Sequence, residues 1–352
     1  MNVPARSTSR SRPLKERAGV AIGLINNMGD QALKITERQF GGLLSEAAGD
    51  IGVSFRVFAL KSTPRSPRAL DYINARYEPV SAAMDGDLDG LIITGAQPQA
   101  DRLSEEPYWT ELVELIDWAK LNTASTILSC LAAHAGVLHL DGVERRPLPE
   151  KCTGVFGFTA ERTNPLVGKQ GRARLVPHSR YNGLLQNELE QAGYVVLTSS
   201  RTSGVDSFVK NFGSQFVFLQ GHPEYDANSL AREYRRDMNQ YLLGETNRIP
   251  ARPKGYFDAD AEAKLSAIDC CAPEHRSQRQ IQDLSIIETL APAEAPWRQA
   301  AVSFFRSWIE MLAVEVNHTS KDGPKPGTHE FPCDNISTDE PSSDLRVPAH
   351  SY

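Results

Sequence analysis

The chain's fold is constrained most by a rhythm of short apolar runs, each stopped by a polar or glycine turn. Val20 to Ile25 runs into Asn26-Asn27-Met28-Gly29-Asp30. Val53 to Leu60 alternates, Leu88 to Gly95 is nearly continuous, and Ser125 to Leu128 leads straight into Ser129-Cys130. Short runs of this kind are strands buried on both faces. Between them, residues 31–47 and 108–121 have helical spacing, the second with Leu112, Leu115, Ile116 and Ala119 on one face. The alternation predicts an α/β fold, a mostly parallel sheet with helices on both faces. In such sheets chemistry gathers at the carboxyl ends of the strands, and the turns at Asn26, Gly95 and Cys130 all fall there.

Further on the pattern is richer in strands: Gly154 to Phe158, Arg172 to Val176, Tyr194 to Thr198, and Phe208 to Phe218. Ala227 to Leu243 is helical. Pro250, Pro253 and Gly255 mark a boundary. The expected organisation is a disordered extension over 1–18, a catalytic domain over 19–249, a helical C-terminal extension over 250–316 and a disordered tail over 317–352. In the extension, 258–268 and Pro296 to Val316 have helical spacing. The second carries Trp297, Phe304, Phe305, Trp308 and Leu312 and needs a surface to pack on.

With 40% hydrophobic and 23% charged residues and a net charge of −6, the 352-residue chain offers no basic surface for nucleic acid or anionic membrane. No apolar stretch approaches the roughly 20 residues that span a bilayer. Residues 1–18 are rich in Arg and Ser but lack the apolar face of a transit peptide. The five cysteines, Cys130, Cys152, Cys270, Cys271 and Cys333, form no C-x-x-C pair, which fits a reduced, cytoplasmic protein. No histidine spacing supports a metal site, and no Gly-rich phosphate loop indicates a bound nucleotide.

Two short segments carry chemistry. Cys130 sits on a predicted strand-to-helix turn with small neighbours Ala132 and Ala133, so the turn can be tight and the thiol exposed. A helix N-terminus behind the sulfur favours its negative charge, and the Leu131 N–H is placed to donate to an oxyanion. The plain alternative is a buried structural cysteine. Gly221-His222-Pro223-Glu224-Tyr225-Asp226 follows another apolar run. His222 and Glu224, one residue apart on extended backbone, point to the same side. They form a base and its partner, unless His222 merely caps the next helix. His134 and His139 read as core or surface residues, and Arg235 as a solvated charge.

Taken in order, these segments resemble a known family. Asp89 to Ala96, Pro107-Tyr108-Trp109, Cys130, Lys151 before Gly154-Val155-Phe156, Pro177-His178-Ser179-Arg180 and Gly221 to Asp226 are together similar to homoserine O-acyltransferases of the MetA type over roughly residues 19–247. The resemblance implies the class I glutamine-amidotransferase-like (flavodoxin-like) fold. It implies Cys130 as acyl-accepting nucleophile, His222 as base and Glu224 as its partner. Lys151, Ser179 and Arg236 fall at substrate-binding positions, and Gln99 at the position tied to the acyl donor. The implied reaction is ping-pong, with succinyl-CoA or acetyl-CoA as co-substrate, no bound cofactor, and L-homoserine as acceptor in methionine biosynthesis. The oligomeric state stays open, with a homodimer among the options.

This chain departs from the family at several points. Lys34 does not align cleanly with the family's lysine after the first strand. Gln99 is neither of the residues that discriminate donors, so succinyl and acetyl both stay open. Ser-Cys-Leu-Ala-Ala-His differs from the usual Cys-Trp-x-x-Gln, so serine or another amino alcohol stays open as acceptor. The helix around Trp297 is expected to be an addition of this branch, packing on the domain or on a partner. Competing readings are a glutamine amidotransferase-like hydrolase and a non-catalytic binding protein on the same fold.

Overall fold

The computed structural model describes residues 19–96, 98–269 and 284–319, the side chains of 267–269 and 317–319 excepted. The expected disordered extension over 1–18 and residues 320–352 of the expected tail, together with Cys270, Cys271 and Cys333, lie outside the described residues, whereas 317–319 continue the last helix.

The first half alternates as expected. In order come β1 (Val20–Ile25), α1 (Leu33–Ala48), β2 (Val53–Ala59), α2 (Pro67–Arg76), β3 (Glu78–Pro79), α3 (Val80–Met84), β4 (Gly90–Ile93), α4 (Trp109–Asn122), β5 (Ser125–Ser129) and α5 (Leu131–Asp141). Every residue of β1, β4 and β5 is buried, which explains their unbroken apolar runs. The second half adds β6 (Arg146–Ala160), β7 (Ala173–Gly183), α6 (Gln186–Gln191), β8 (Val195–Ser200), β9 (Gly204–Asn211), β10 (Gln215–Leu219) and α7 (Ser229–Leu242). It ends with α8 (Ala259–Asp269), α9 (Ile286–Thr289) and α10 (Arg298–Thr319).

The strands form one sheet in the order β3-β2-β1-β4-β5-β10-β9-β8-β6-β7. From β3 to β10 neighbours are parallel; from β10 onward they are antiparallel. The apolar stretch Phe208 to Phe218, read as one strand, is split between β9 and β10. Gly213 turns the chain there at φ 98°, and its N–H donates to the Asn211 side chain at 2.8 Å.

One face of the sheet is covered by α4 and α5, through Leu112, Leu115, Ile116, Ala133 and Val137 against Leu91, Ile93 and Leu128. The opposite face is covered by α1 and α10. Phe40, Leu43 and Leu44 pack there beside Phe304, Phe305, Trp308, Ile309 and Leu312 over Ile22, Ile92, Ile127 and Val217. The apolar C-terminal helix thus supplies half of one layer of the core. Its approach is close. A Cβ on Gly90 would fall 2.6 Å from Leu312 Cδ1 and 2.8 Å from the Trp308 ring. Only glycine lets β4 and α10 meet there. The buried Trp308 indole N–H donates to Ser125 Oγ at 2.9 Å. A third cluster joins α7, α8 and α9 through Leu230, Tyr234, Met238, Leu265 and Ile287, with Trp297 among them.

Candidate active site

Parallel pairing sets the site. β5 and β10 are neighbours with Ser129 opposite Leu219, and both chains leave the sheet at the same edge. Cys130 follows the first strand directly, and its N–H donates to Leu219 O at 2.7 Å. Three residues past Leu219 comes His222, buried, its N–H donating to Pro177 O of β7 at 2.8 Å. Cys130 and His222 are thus fixed to adjacent strands.

Cys130 has φ 53° and ψ −113°, and among the described residues it is the single non-glycine residue with positive φ. Such a conformation costs on the order of 1–3 kcal/mol and persists only where packing over-determines it. It turns the chain sharply from β5 into α5 and presents the thiol at the helix N-terminus, the geometry of a nucleophile elbow. The Leu131 N–H belongs to the first turn of α5, whose N–H groups have no intrahelical acceptor. Gly95, after β4, lies against it: a Cβ there would be 2.8 Å from Leu131 N and 2.6 Å from Leu131 Cβ. That closeness packs the Gly95 backbone against the first turn of α5.

His222 Nδ1 is 2.8 Å from Glu224 Oε1, both side chains buried. With Nδ1 committed to the carboxylate, Nε2 is the nitrogen left for Cys130. Burial alone would depress this imidazole. The negative charges of Cys130 and Glu224, with hydrogen bonds to both, nevertheless hold it well above its usual value. The ring stacks on Tyr225, centroids 4.3 Å apart at 17°. Tyr225 is held in turn by Glu233, at 2.5 Å from its hydroxyl, and by the Trp297 indole, which donates to its carbonyl at 3.0 Å.

The array opens into a cavity of about 940 Å³. Of the sequence-predicted residues, Cys130, Leu131, Lys151, Ser179, His222 and Arg236 line it. At the α7 end Lys151 Nζ lies 2.7 Å from Asp237 Oδ2 and 3.9 Å from Glu233 Oε2. Arg236 reaches the same Asp237 at 2.7 Å. Cations and carboxylates thus meet there, which suits a ligand carrying both signs. Gln99 is exposed and does not line the cavity; its backbone N–H, with that of Ala100, is held by Glu106 Oε1 at 2.8 and 3.0 Å. Lys34 also stands away from it, its ammonium 4.5 Å over the Tyr72 ring. Arg235 lines the rim but is paired with Glu288 at 2.9 Å. Among the described residues no His, Cys, Asp or Glu group could hold a metal ion, and no helix is long and apolar enough to cross a membrane.

Sequence reasoning missed part of the site. Arg65, its side chain almost wholly buried, clamps the β1 loop by donating to Met28 O and to Asn26 O at 3.3 Å. His178 and Asp206, both buried, face each other at 3.2 Å beneath His222. Arg180 donates to His178 Nδ1 at 3.2 Å, leaving the proton on Nε2. Arg145 and His134 line the cavity directly. His134 Nε2 contacts Gln220 Oε1 at 2.9 Å, and burial holds its ring down to about 4.

His134 carries a stability prediction. Its folded pKa is depressed, so the unfolded chain binds the extra proton first. Stability should therefore fall as pH drops from about 6.5 to about 4. The loss attributable to this residue is on the order of 3 kcal/mol. Thermal denaturation across that window should show a steeper slope for the wild type than for His134→Gln.

A thiol on a strained elbow, a buried imidazole and a carboxylate beside a helix N-terminus can pass an acyl group through sulfur. The comparisons show an acyltransferase family. The profile of the family described as Homoserine O-succinyltransferase matches residues 5–318. The chain is 43% identical over 304 residues to the homoserine O-succinyltransferase of Methylorubrum extorquens, covering 86% of this chain and 90% of that protein. It is 45% identical over 296 residues to that of Rhodopseudomonas palustris, covering 84% and 89%. The chain belongs to the homoserine O-succinyltransferase family and is an acyltransferase. The match runs through α10, so that helix is not an addition of this branch. A glutamine amidotransferase of Thermotoga maritima superposes at TM-score 0.40 and 10% identity, covering 84% of this chain and 99% of that one, a likeness too slight to carry an argument.

Proposed function

We propose that this chain transfers a succinyl group from succinyl-CoA to the hydroxyl of L-homoserine through a thioester on Cys130, in methionine biosynthesis. The observation that carries the reading is the Cys130–His222–Glu224 array, opening on a cavity whose far end holds both signs of charge. Donor and acceptor are taken from the names of the relatives.

In the first half-reaction the Cys130 thiolate attacks the thioester carbonyl, and the Leu131 N–H donates to the oxyanion. The C–S bond to CoA breaks, and His222 protonates the departing sulfur. Acylation removes the Cys130 charge, one of the two that raise the imidazole. His222, having given its proton to CoA, is thereby left neutral and able to accept a proton once the acyl-enzyme exists. It takes the homoserine hydroxyl proton at Nε2, the oxygen attacks the Cys130 thioester, and the thiolate–imidazolium pair is restored. Asp237 and Glu233 suit the amino acid's ammonium, and Lys151 and Arg236 its carboxylate. One hard transfer becomes two easier ones. Initial rates at varied succinyl-CoA and homoserine should give parallel double-reciprocal lines; intersecting lines would mean that both substrates bind before chemistry, and would contradict the scheme.

A further inference from the structure

Arg145 is the cavity's least accounted-for charge. It precedes β6, whose first residue, Arg146, turns outward to pair with Glu188 at 2.7 Å. Arg145 instead lines the Cys130 cavity, with Nη1 buried and without a hydrogen-bond partner. A buried guanidinium nitrogen left unpaired is costly, so a site that keeps one has a use for it. Its charge is felt by Cys130, Tyr108, Glu106 and Glu144. It is thus within electrostatic reach of both Cys130 and Glu106. Glu106 acts on the guanidinium through its charge; its Oε1 accepts from the Gln99 and Ala100 N–H groups, and its Oε2 is buried without a hydrogen-bond partner.

The cavity's two ends therefore differ. Lys151, Arg236, Asp237 and Glu233 at the α7 end offer both signs, as an amino acid needs. At the other end Arg145 adds a guanidinium to the lining, its buried Nη1 without a hydrogen-bond partner, the charge that a purely anionic group needs. Resting on the acyl-transfer reading above, we propose that Arg145 selects the donor, binding the free carboxylate of a dicarboxylic acyl-CoA while Cys130 attacks the thioester carbonyl. The chain would thereby discriminate succinyl from uncharged acyl groups.

The test compares kcat/KM for succinyl-CoA and butyryl-CoA, of similar length without the carboxylate, at saturating homoserine. The wild type should favour succinyl-CoA by about 100-fold or more, the range of a substrate group that meets a matched polar partner in the site. Arg145→Met should collapse that ratio to under about fivefold, and Arg145→Lys should restore part of it. An unchanged ratio in Arg145→Met would overturn the proposal. So would a loss confined to KM for homoserine, which would assign the carboxylate to the acceptor. Should Arg145→Met fail to fold, the wild-type ratio and that of Arg145→Lys decide. A wild type that uses both donors equally refutes the role of Arg145 alone; one that acylates from neither refutes the acyl-transfer reading itself.

Discussion

Cys130→Ala should lower acyl transfer by at least about 10³-fold, because removing a covalent nucleophile removes the two-step route itself. The fold should survive the change. Alanine takes up little space, and the backbone constraint at φ 53° comes from the elbow and the Leu219 hydrogen bond rather than from sulfur. The variant also has a spectroscopic signature. Without the Cys130 charge, the His222 imidazole loses one of the two interactions that hold it high. Its ring should therefore lose its proton at lower pH than in the wild type, measured by NMR of the histidine ring. Transfer undiminished in Cys130→Ala would remove sulfur from the chemistry.

The second large effect concerns α10. Trp308→Ala should destabilise the chain by about 3–5 kcal/mol, the usual cost of emptying a fully buried aromatic site. It also removes the indole N–H that Ser125 Oγ accepts, leaving that hydroxyl only its bond to Gln215 O at 2.8 Å. Ending the chain at residue 249 should do more. It would strip Phe304, Phe305, Trp308, Ile309 and Leu312 from the layer over β1, β4, β5 and β10, and Trp297 from the Tyr225 carbonyl. Loss of the cooperative thermal transition is the expected result for that truncation. A cooperative transition near the full-length midpoint would show that the sheet is closed without α10.

The parallel half of the sheet was legible in the sequence because its strands are buried on both faces and read as unbroken apolar runs. The carboxyl-edge rule then placed Cys130 and the β1 and β4 turns on one side. His222 joined them through the partnership of β10 with β5, which no local pattern reveals. The covering role of α10 was half legible. Its apolar spacing demanded a surface, but only tertiary packing says which surface. Arg145 went unseen, and His134 was read as a core or surface residue, because a charge beside a turn and a histidine on a helix look alike whether they face solvent or a cavity. Gln99 was singled out by resemblance, yet in this chain the structure leaves it exposed and outside the cavity lining, its backbone tied by Glu106. The signal that could have found Arg145 is the pair Arg145-Arg146 entering a strand, where alternation sends one residue outward and leaves the other facing in.

The central claim is that an acyl group passes through Cys130, and intact-mass spectrometry tests it most directly. Incubated with succinyl-CoA alone, the protein should gain one succinyl group, mapped by peptide digestion to Cys130 and absent in Cys130→Ala. Added L-homoserine should discharge it with appearance of O-succinylhomoserine. A protein that forms no adduct without homoserine, yet turns over when both substrates are present, would contradict the account.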